Sequence, residues 1–276
     1  LSYENFFKEW IELYQAKKLA PLSIQYGDYA VWQREWIKRK EVQKQIEYWK
    51  GELEGTPDLL ELPWDKPRPP QFTGRGDIET VRLSKELADH CKSIAQKEGV
   101  TPFVFFLAAF QSFLYRYSGK EDLTVGTPYA NRTRPELEPL IGYFLQIFII
   151  RSKCEGSIPF VTFLQNVNQT MSNAYKNSDV PLDLIIHALN PARNPSFNPL
   201  FQVLFVYENI TQSVINFNEA HLHALPCNTK TSKFDLTLFI IDHGDRLECR
   251  FEYCTDLFEK ETIQRMLSYF HTFLKG

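Results

Sequence analysis

Six histidines, at positions 90, 187, 221, 223, 243 and 271, are the side chains of this sequence best suited to proton transfer or metal binding near neutral pH. Only His221-x-His223 forms a close pair. Strand spacing would set both imidazoles on one face. No cysteine or carboxylate completes a ligand motif beside them, so they read as exposed surface and not as a metal site. His243 falls in a turn. Asp179 and Asp183 suggest paired carboxylates for acid–base work, but Asp179-Val-Pro181 reads as a loop entering a short helix, Leu182 to Leu189. Acidic groups near the positive end of a helix need no catalytic explanation. The five cysteines, at 91, 154, 227, 249 and 254, include no CxxC spacing. They read as free thiols in a reducing compartment, which places the protein in the cytoplasm. There is no GxSxG, no glycine-rich phosphate loop and no HExxH. Taken alone, these residues assemble no active site.

The elements that would position a site are easier to read. Tyr3, Phe6, Phe7, Trp10, Ile11 and Tyr14 recur at helical spacing behind Ser2, which is placed to cap the start. This predicts a helix to about Ala16 that buries one aromatic stripe. After Pro21-Leu22, residues Gly27 to about Leu53 read as one further amphipathic stretch, with Trp32, Trp36, Ile46 and Trp49. From Gly55 to Gly76, five prolines (57, 63, 67, 69 and 70) and Gly74 leave no room for a helix and little for a central strand. Leu59, Leu60, Leu62 and Trp64 are too apolar for a free linker. An extended connector lying along a surface, between two bodies at 1–54 and 77–276, is the expectation.

Beyond the connector the pattern is mixed α and β. Ser84 caps a helix through Ala95, stopped by Gly99. Thr101-Pro102 opens a second, with Thr as N-cap and Pro at the first helical position. That helix is apolar nearly all round, so it should be fully buried. Leu123 to Gly126 and Leu145 to Ile150 read as strands, and Pro159 to Tyr175 as a helix. Phe201 to Tyr207 is a further strand. Phe234 to Ile241 and Arg246 to Tyr253 should pair across the turn Asp242-His-Gly-Asp245. Ile263, Met266, Leu267, Phe270, Phe273 and Leu274 line a last helix.

Bulk properties exclude several functions. Of 276 residues, 31 are basic and 34 acidic, a net charge of −3 that leaves no basic surplus for a nucleic-acid backbone. The longest fully apolar run, Phe103 to Phe110, is far short of a membrane span. With 22 phenylalanines, the core should be built on large rings. The chain starts at Leu1 with no leader, and the natural polypeptide is expected to extend upstream.

Several stretches taken together resemble one family. Tyr26-Gly-Asp28-Tyr29-Ala-Val-Trp32 is similar to the motif YxDYAxW of non-ribosomal peptide synthetase condensation domains. Gly126-Thr-Pro128 through Asn131-Arg132 resembles GTPxxxR. Ile141-Gly142-Tyr-Phe144-Leu-Gln146, ending in Arg151, resembles IGxFVNTxxxR. Asn177-Ser-Asp179-Val-Pro181-Leu-Asp183 looks like HQDYPFE, and Arg193-Asn-Pro-Ser196-Phe-Asn198-Pro199-Leu-Phe-Gln-Val like RDxSRNPLFQV. Lys233-Phe-Asp235-Leu-Thr237-Leu is a further family-like strand. The motifs fall in the family's order and cover nearly the whole chain.

The resemblance implies a chloramphenicol-acetyltransferase-like α/β fold, two αβα lobes in a V with a tunnel between them. This chain would be the C-terminal lobe with a remnant of the N-terminal lobe. It implies amide-bond formation between a donor thioester and an acceptor amine. Both would be presented on phosphopantetheine arms by upstream and downstream peptidyl carrier proteins, next to an adenylation domain, with no cofactor bound directly. The family's chemistry centres on HHxxxDG, which lies just before the helix that Tyr3 to Tyr14 resembles and is absent from these residues. No catalytic residue is therefore assigned here. Arg132, or else Arg151, would brace the aspartate of that motif. Asp28 and Tyr29, with Tyr26, would brace a turn. Gly142 would let backbone approach closely at the lobe interface. Asn198 and Pro199 would shape the tunnel wall beside Ser196, with Gln146, Asp179, Pro181 and Arg193 as further support.

The chain departs from the pattern at Gln146 for Asn, Ile147 for Thr, Asn177 for His, Leu182 for Phe and Asn194 for Asp. These changes leave room for relatives of the same superfamily, which epimerise, form heterocycles or form esters, and for a silent domain that only docks carrier or tailoring proteins. As an isolated piece the chain is expected to be inactive.

Overall fold

A computed structural model of the chain describes residues 2–209, 214–217, 220–223 and 227–276. Three helices open it: α1 (Ser2–Tyr14), α2 (Tyr26–Trp36) and α3 (Lys40–Leu53). After the proline-rich segment come β1 (Gly76–Leu83), α4 (Lys85–Lys97), α5 (Pro102–Ser118) and β2 (Asp122–Tyr129). A short 3-10 turn at Pro135–Leu137 precedes β3 (Gln146–Lys153), α6 (Phe160–Lys176) and α7 (Leu182–Leu189). The rest is β4 (Val203–Asn209), a hairpin of β5 (Val214–Phe217) and β6 (Ala220–His223), then β7 (Leu236–Asp242), β8 (Leu247–Cys254) and α8 (Lys260–Lys275).

Six strands form one sheet in the order β1-β8-β7-β4-β2-β3. β4 runs parallel to β2 and β7, and every other pairing is antiparallel. β5 pairs with β6 alone. His221 and His223 lie on β6, but their side chains fall outside the described residues.

α5 is the hub of the helical layer that packs on this sheet. Thr101 Oγ1 accepts from Val104 N at 3.2 Å, Pro102 starts the helix, and Gly119 closes it at a φ of 70°. Its apolar residues continue round the helix because α4, α6 and α8 flank it while the sheet lies beneath. The rings of Phe103 and Phe110 reach Phe205 of β4, and Phe110 and Phe113 reach Phe270 of α8. Among the described residues no single helix is long and apolar enough to cross a membrane.

Two expectations change, and one strand is added to them. The aromatic stripe of α1 is not buried: Tyr3 is 74% exposed and Trp10 44%, and the helix contains no buried residue. The stripe is real, but only Phe7 and Ile11 of it are half-buried, and its other residues are exposed. Gly27 to Leu53 is two helices, broken at Ile37–Arg39 where no Gly or Pro marks the break. β1 went unread, because the residues that follow Gly76 do not alternate cleanly between apolar and polar. Gly76 itself is required there: a Cβ would lie 2.5 Å from the backbone of Thr231 and Ser232.

Up to residue 75 the connector has no helix or strand, β1 taking over at Gly76, and it is fastened along the body. Leu60 and Leu62 are buried, Asp65 N donates to Leu257 O, and Phe72 N donates to Pro195 O. α3 contributes Val42, Trp49 and Leu53 to the same core as the sheet. A second, small core joins Tyr29 of α2 to Leu137, Leu140 and Phe144 of the β2–β3 loop.

Candidate functional site

The motif residues gather in two places. The first is where β2 ends at Tyr129 and β3 begins at Gln146, its half-buried register partner. The loop between them carries Asn131, Arg132 and Gly142, and folds against α1 and α2. Tyr26 places its ring over Gly142, where a Cβ would stand only 2.2 Å from Cδ2. That close approach is why glycine sits there. The Tyr26 hydroxyl donates to Tyr143 O at 2.9 Å. Asp28 accepts from Gln25 N at 2.8 Å and closes the first turn of α2. The buried Tyr29 hydroxyl accepts from Gln33 Nε2 and Asn131 Nδ2, each at 3.2 Å. Asn131 holds a left-handed φ of 50°, a conformation asparagine tolerates.

Arg132 lies at the centre of this group. Its Nη1 donates to the carbonyls of Leu137 and Glu138, its Nη2 to Ser2 Oγ at 2.7 Å, and its guanidinium lies 4.2 Å from the Phe144 ring centroid. Ser2 Oγ in turn donates to Gly142 O at 2.8 Å. Ser2, expected as a cap, thus ties the first turn of α1 to the loop. Among the described residues, all of Arg132's hydrogen-bond partners are neutral oxygens. Burial pulls its pKa down, against the pull of Glu138.

The turn before α7 joins the group from behind. The Gln45 amide grips Asp179 twice: Nε2 donates to Oδ2 at 2.9 Å, and Oε1 accepts from Asp179 N at 3.0 Å. Tyr129 donates to Ser178 O, and Trp49 Nε1 to Asn177 O at 2.8 Å. Pro181 sets the entry to α7. Burial pushes the phenols of Tyr29 and Tyr129 up, and the Asp179 carboxylate adds to both shifts. They are neutral hydrogen-bonding groups at physiological pH, not bases.

The second place is the opposite end of the parallel strands, where the chain enters β4. Ser196 is buried, its N and Oγ both donating to Asn194 Oδ1. Asn198 Nδ2 donates to Lys233 O at 2.9 Å. Pro199 O accepts from Phe201 N at 2.9 Å, and Leu200 follows with a φ of 69°. Arg193 is exposed and makes no ion pair among the described residues. Arg151, on β3, stands beside the start of β2, where its guanidinium clasps Asp122 at 2.9 and 2.7 Å and donates to Glu52 O and Glu54 O. Its carboxylate partner is therefore supplied from within the chain, whereas no carboxylate is among the hydrogen-bond partners of Arg132 in the described residues.

Sequence reasoning missed three positions. Arg68 forms a bidentate pair with Asp235, Gln202 binds Leu60 N and Asp58 O, and Gln45 holds Asp179. Each partner is more than a hundred residues away, so no local pattern could expose it. Among the described residues no group of three or more His, Cys, Asp or Glu is placed to hold a metal, and no imidazole hydrogen-bonds to either group. The arrangement can brace, orient and bind, and among the described residues no histidine belongs to it.

An α/β body with this sheet and helical layer has the condensation-domain fold, of the chloramphenicol-acetyltransferase-like type. Over 99% of the chain it superimposes on the X-domain in its complex with OxyB from teicoplanin biosynthesis, with a TM-score of 0.88 and 24% identity, covering 63% of that chain. The condensation domain from the monacolin K polyketide synthase MokA matches at a TM-score of 0.86 and 20% identity, over 99% of this chain and 65% of that one. The sequence takes the assignment further. The family model described as Condensation domain matches residues 1–276, and the chain belongs to that family. It is 38% identical over 275 residues, its whole length, to a plipastatin synthase polypeptide of Bacillus subtilis (strain 168). It is 40% identical over 279 residues, 99% of its length, to a linear gramicidin synthase polypeptide of Brevibacillus parabrevis. The chain spans only 8% and 5% of those two synthases.

Proposed function

We propose that this chain is one side of a condensation domain of a non-ribosomal peptide synthetase, where an acceptor amine attacks a donor thioester to form an amide. The substrates arrive on phosphopantetheine arms of upstream and downstream peptidyl carrier proteins, and an adenylation domain stands nearby. Residues 1–54 are the remnant of one lobe, 55–76 the connector and 77–276 the other lobe. α3 shares the core of the third segment and so ties the first to it across the connector.

The observation that carries this reading is Arg132. Its guanidinium is fixed at the first turn of α1 by neutral oxygens and the Phe144 ring, with no carboxylate bonded to it among the described residues. The resemblance to the family puts HHxxxDG directly before that helix. An aspartate there would find a cation already oriented, and the pair would hold the second histidine of the motif in place as base or as a stabiliser of developing charge. The catalytic imidazole is then outside these 276 residues.

The experiment mixes a carrier-bound peptidyl donor and a carrier-bound aminoacyl acceptor with this chain, and separately with a condensation domain that joins it to HHxxxDG. Amide product is expected only from the second. Arg132→Ala there should lower turnover about 10²-fold, the range for a mispositioned general base. Product above background from the 276 residues alone would overturn the assignment of the base to outside sequence.

A further inference from the structure

The Arg68–Asp235 pair is buried and outside every role assigned so far. The Arg68 side chain is 10% exposed and that of Asp235 2%. Nη1 donates to Asp235 Oδ1 at 3.0 Å, Nη2 donates to Oδ2, and Nη1 also donates to Ser196 O at 3.1 Å. The guanidinium lies between rings, 4.6 Å from the centroid of Trp64 and 5.7 Å from that of Phe197. Its Nε is buried without a partner among the described residues.

Such a pair is a poor way to gain stability. Desolvating two charges is costly, and apolar replacements of similar volume are often as stable. The orphaned Nε adds to that cost. What the pair does supply is direction. Residues 191–202 form neither helix nor strand, so no ladder of backbone bonds shapes them. Their form rests on a few isolated backbone bonds, Phe72 N to Pro195 O, Phe201 N to Pro199 O and Asp235 N to Gln202 O, and on side-chain bonds: Asn194 to Ser196, Asn198 to Lys233 O, Gln202 to Asn198 O, and Arg68 to Ser196 O. Of these only Arg68 reaches in from the connector as a charged fork, and Asp235 fixes its plane.

We propose that Arg68 is a positioning residue for substrate passage: held by Asp235, it sets the backbone of Ser196–Pro199 and couples that segment to the connector. This rests on the reading above, in which the segment lines the substrate tunnel. Arg68 acts through Ser196 O and touches no substrate itself.

The test uses the full-length synthetase containing this domain, with kcat and KM read for carrier-bound donor and acceptor and Tm read in parallel. Arg68→Lys keeps the charge and loses the fork. It should lower kcat/KM at least about tenfold, mainly through KM, as a displaced binding wall does. The double variant Arg68→Met/Asp235→Leu removes the buried charges together. It should keep a near-native Tm yet stay as impaired as Arg68→Lys. A double variant that regains both Tm and kcat/KM would show the pair to be structural only and overturn the proposal, as would an Arg68→Lys enzyme with unchanged KM and kcat. Should the double variant fail to fold, Arg68→Lys decides alone. If the unsubstituted synthetase makes no amide, the functional reading fails instead, and the two failures are told apart.

Discussion

Two arginines were candidates for the same role, and their surroundings separate them. Among the described residues Arg132 hydrogen-bonds only to neutral oxygens, whereas Arg151 is clasped to Asp122 on β2 and also holds the carbonyls of Glu52 and Glu54 at the end of α3. Arg151 is thereby a fastener between α3 and the sheet. Its hydrogen bonds hold the Asp122 carboxyl below the ordinary range, against a smaller pull from burial. The folded chain thus binds that proton less readily than the unfolded chain. The resulting stabilisation is complete above the ordinary aspartate pKa of about 3.9 and is lost as pH falls through the lower folded value. Arg151→Met should cost about 2–3 kcal/mol at pH 7, since it strands a partly buried carboxylate and two carbonyls. Urea midpoints for both chains should differ clearly at pH 7 and draw closer by pH 3. An equal gap at both values would mean that the Asp122 charge contributes nothing.

At the scale of elements, α5 organises the helical layer and shows how much of the fold is written locally. Its N-cap bond, from Val104 N to Thr101 Oγ1, satisfies an otherwise unpaired donor at the head of a buried helix. Thr101→Ala should lower stability by about 1 kcal/mol, visible as a smaller denaturation midpoint with unchanged slope. An unchanged midpoint would show that the cap is idle. The signals that work over a few residues were legible: the Ser84 and Thr101 caps, the glycine stops, and the β7–β8 hairpin with its short turn. Signals that require knowledge of the neighbours were not. The periodicity of α1 gave its apolar stripe but not what would lie against it. Nothing in residues 37–39 announces the break between α2 and α3. The motif strings located Arg132, Gly142 and Asp179, yet the side chains that hold or meet them (Ser2, Tyr26 and Gln45) come from helices distant in sequence. Arg68 is the extreme case, a cation among prolines whose partner lies 167 positions away.

For the whole molecule, the decisive asymmetry is between a large closed core and an open helix. The sheet, α3 and the helical layer bury their apolar residues in one continuous core, whereas α1 contributes no buried residue, and Ser2 and Asn5 tie it by polar links to residues 138–142 of the β2–β3 loop. Tyr3, Phe6, Trp10, Leu13 and Tyr14 stand exposed at spacings that place them on one face of α1. A contiguous apolar strip of that kind marks a surface meant to be covered. Left uncovered, it should drive the 276-residue chain to self-associate, with a weight-average mass in sedimentation velocity that climbs with concentration. Replacing Phe6 and Leu13 together by Ser removes two of the strip's five apolar side chains, one toward each end, without touching the Ser2–Arg132 link. The double variant should therefore sediment as a monomer at concentrations where the parent chain does not, while its Tm stays within a few degrees, because neither side chain is buried in the core. If parent and variant associate alike, the contact surface lies elsewhere and the exposed face of α1 is not where this body meets another.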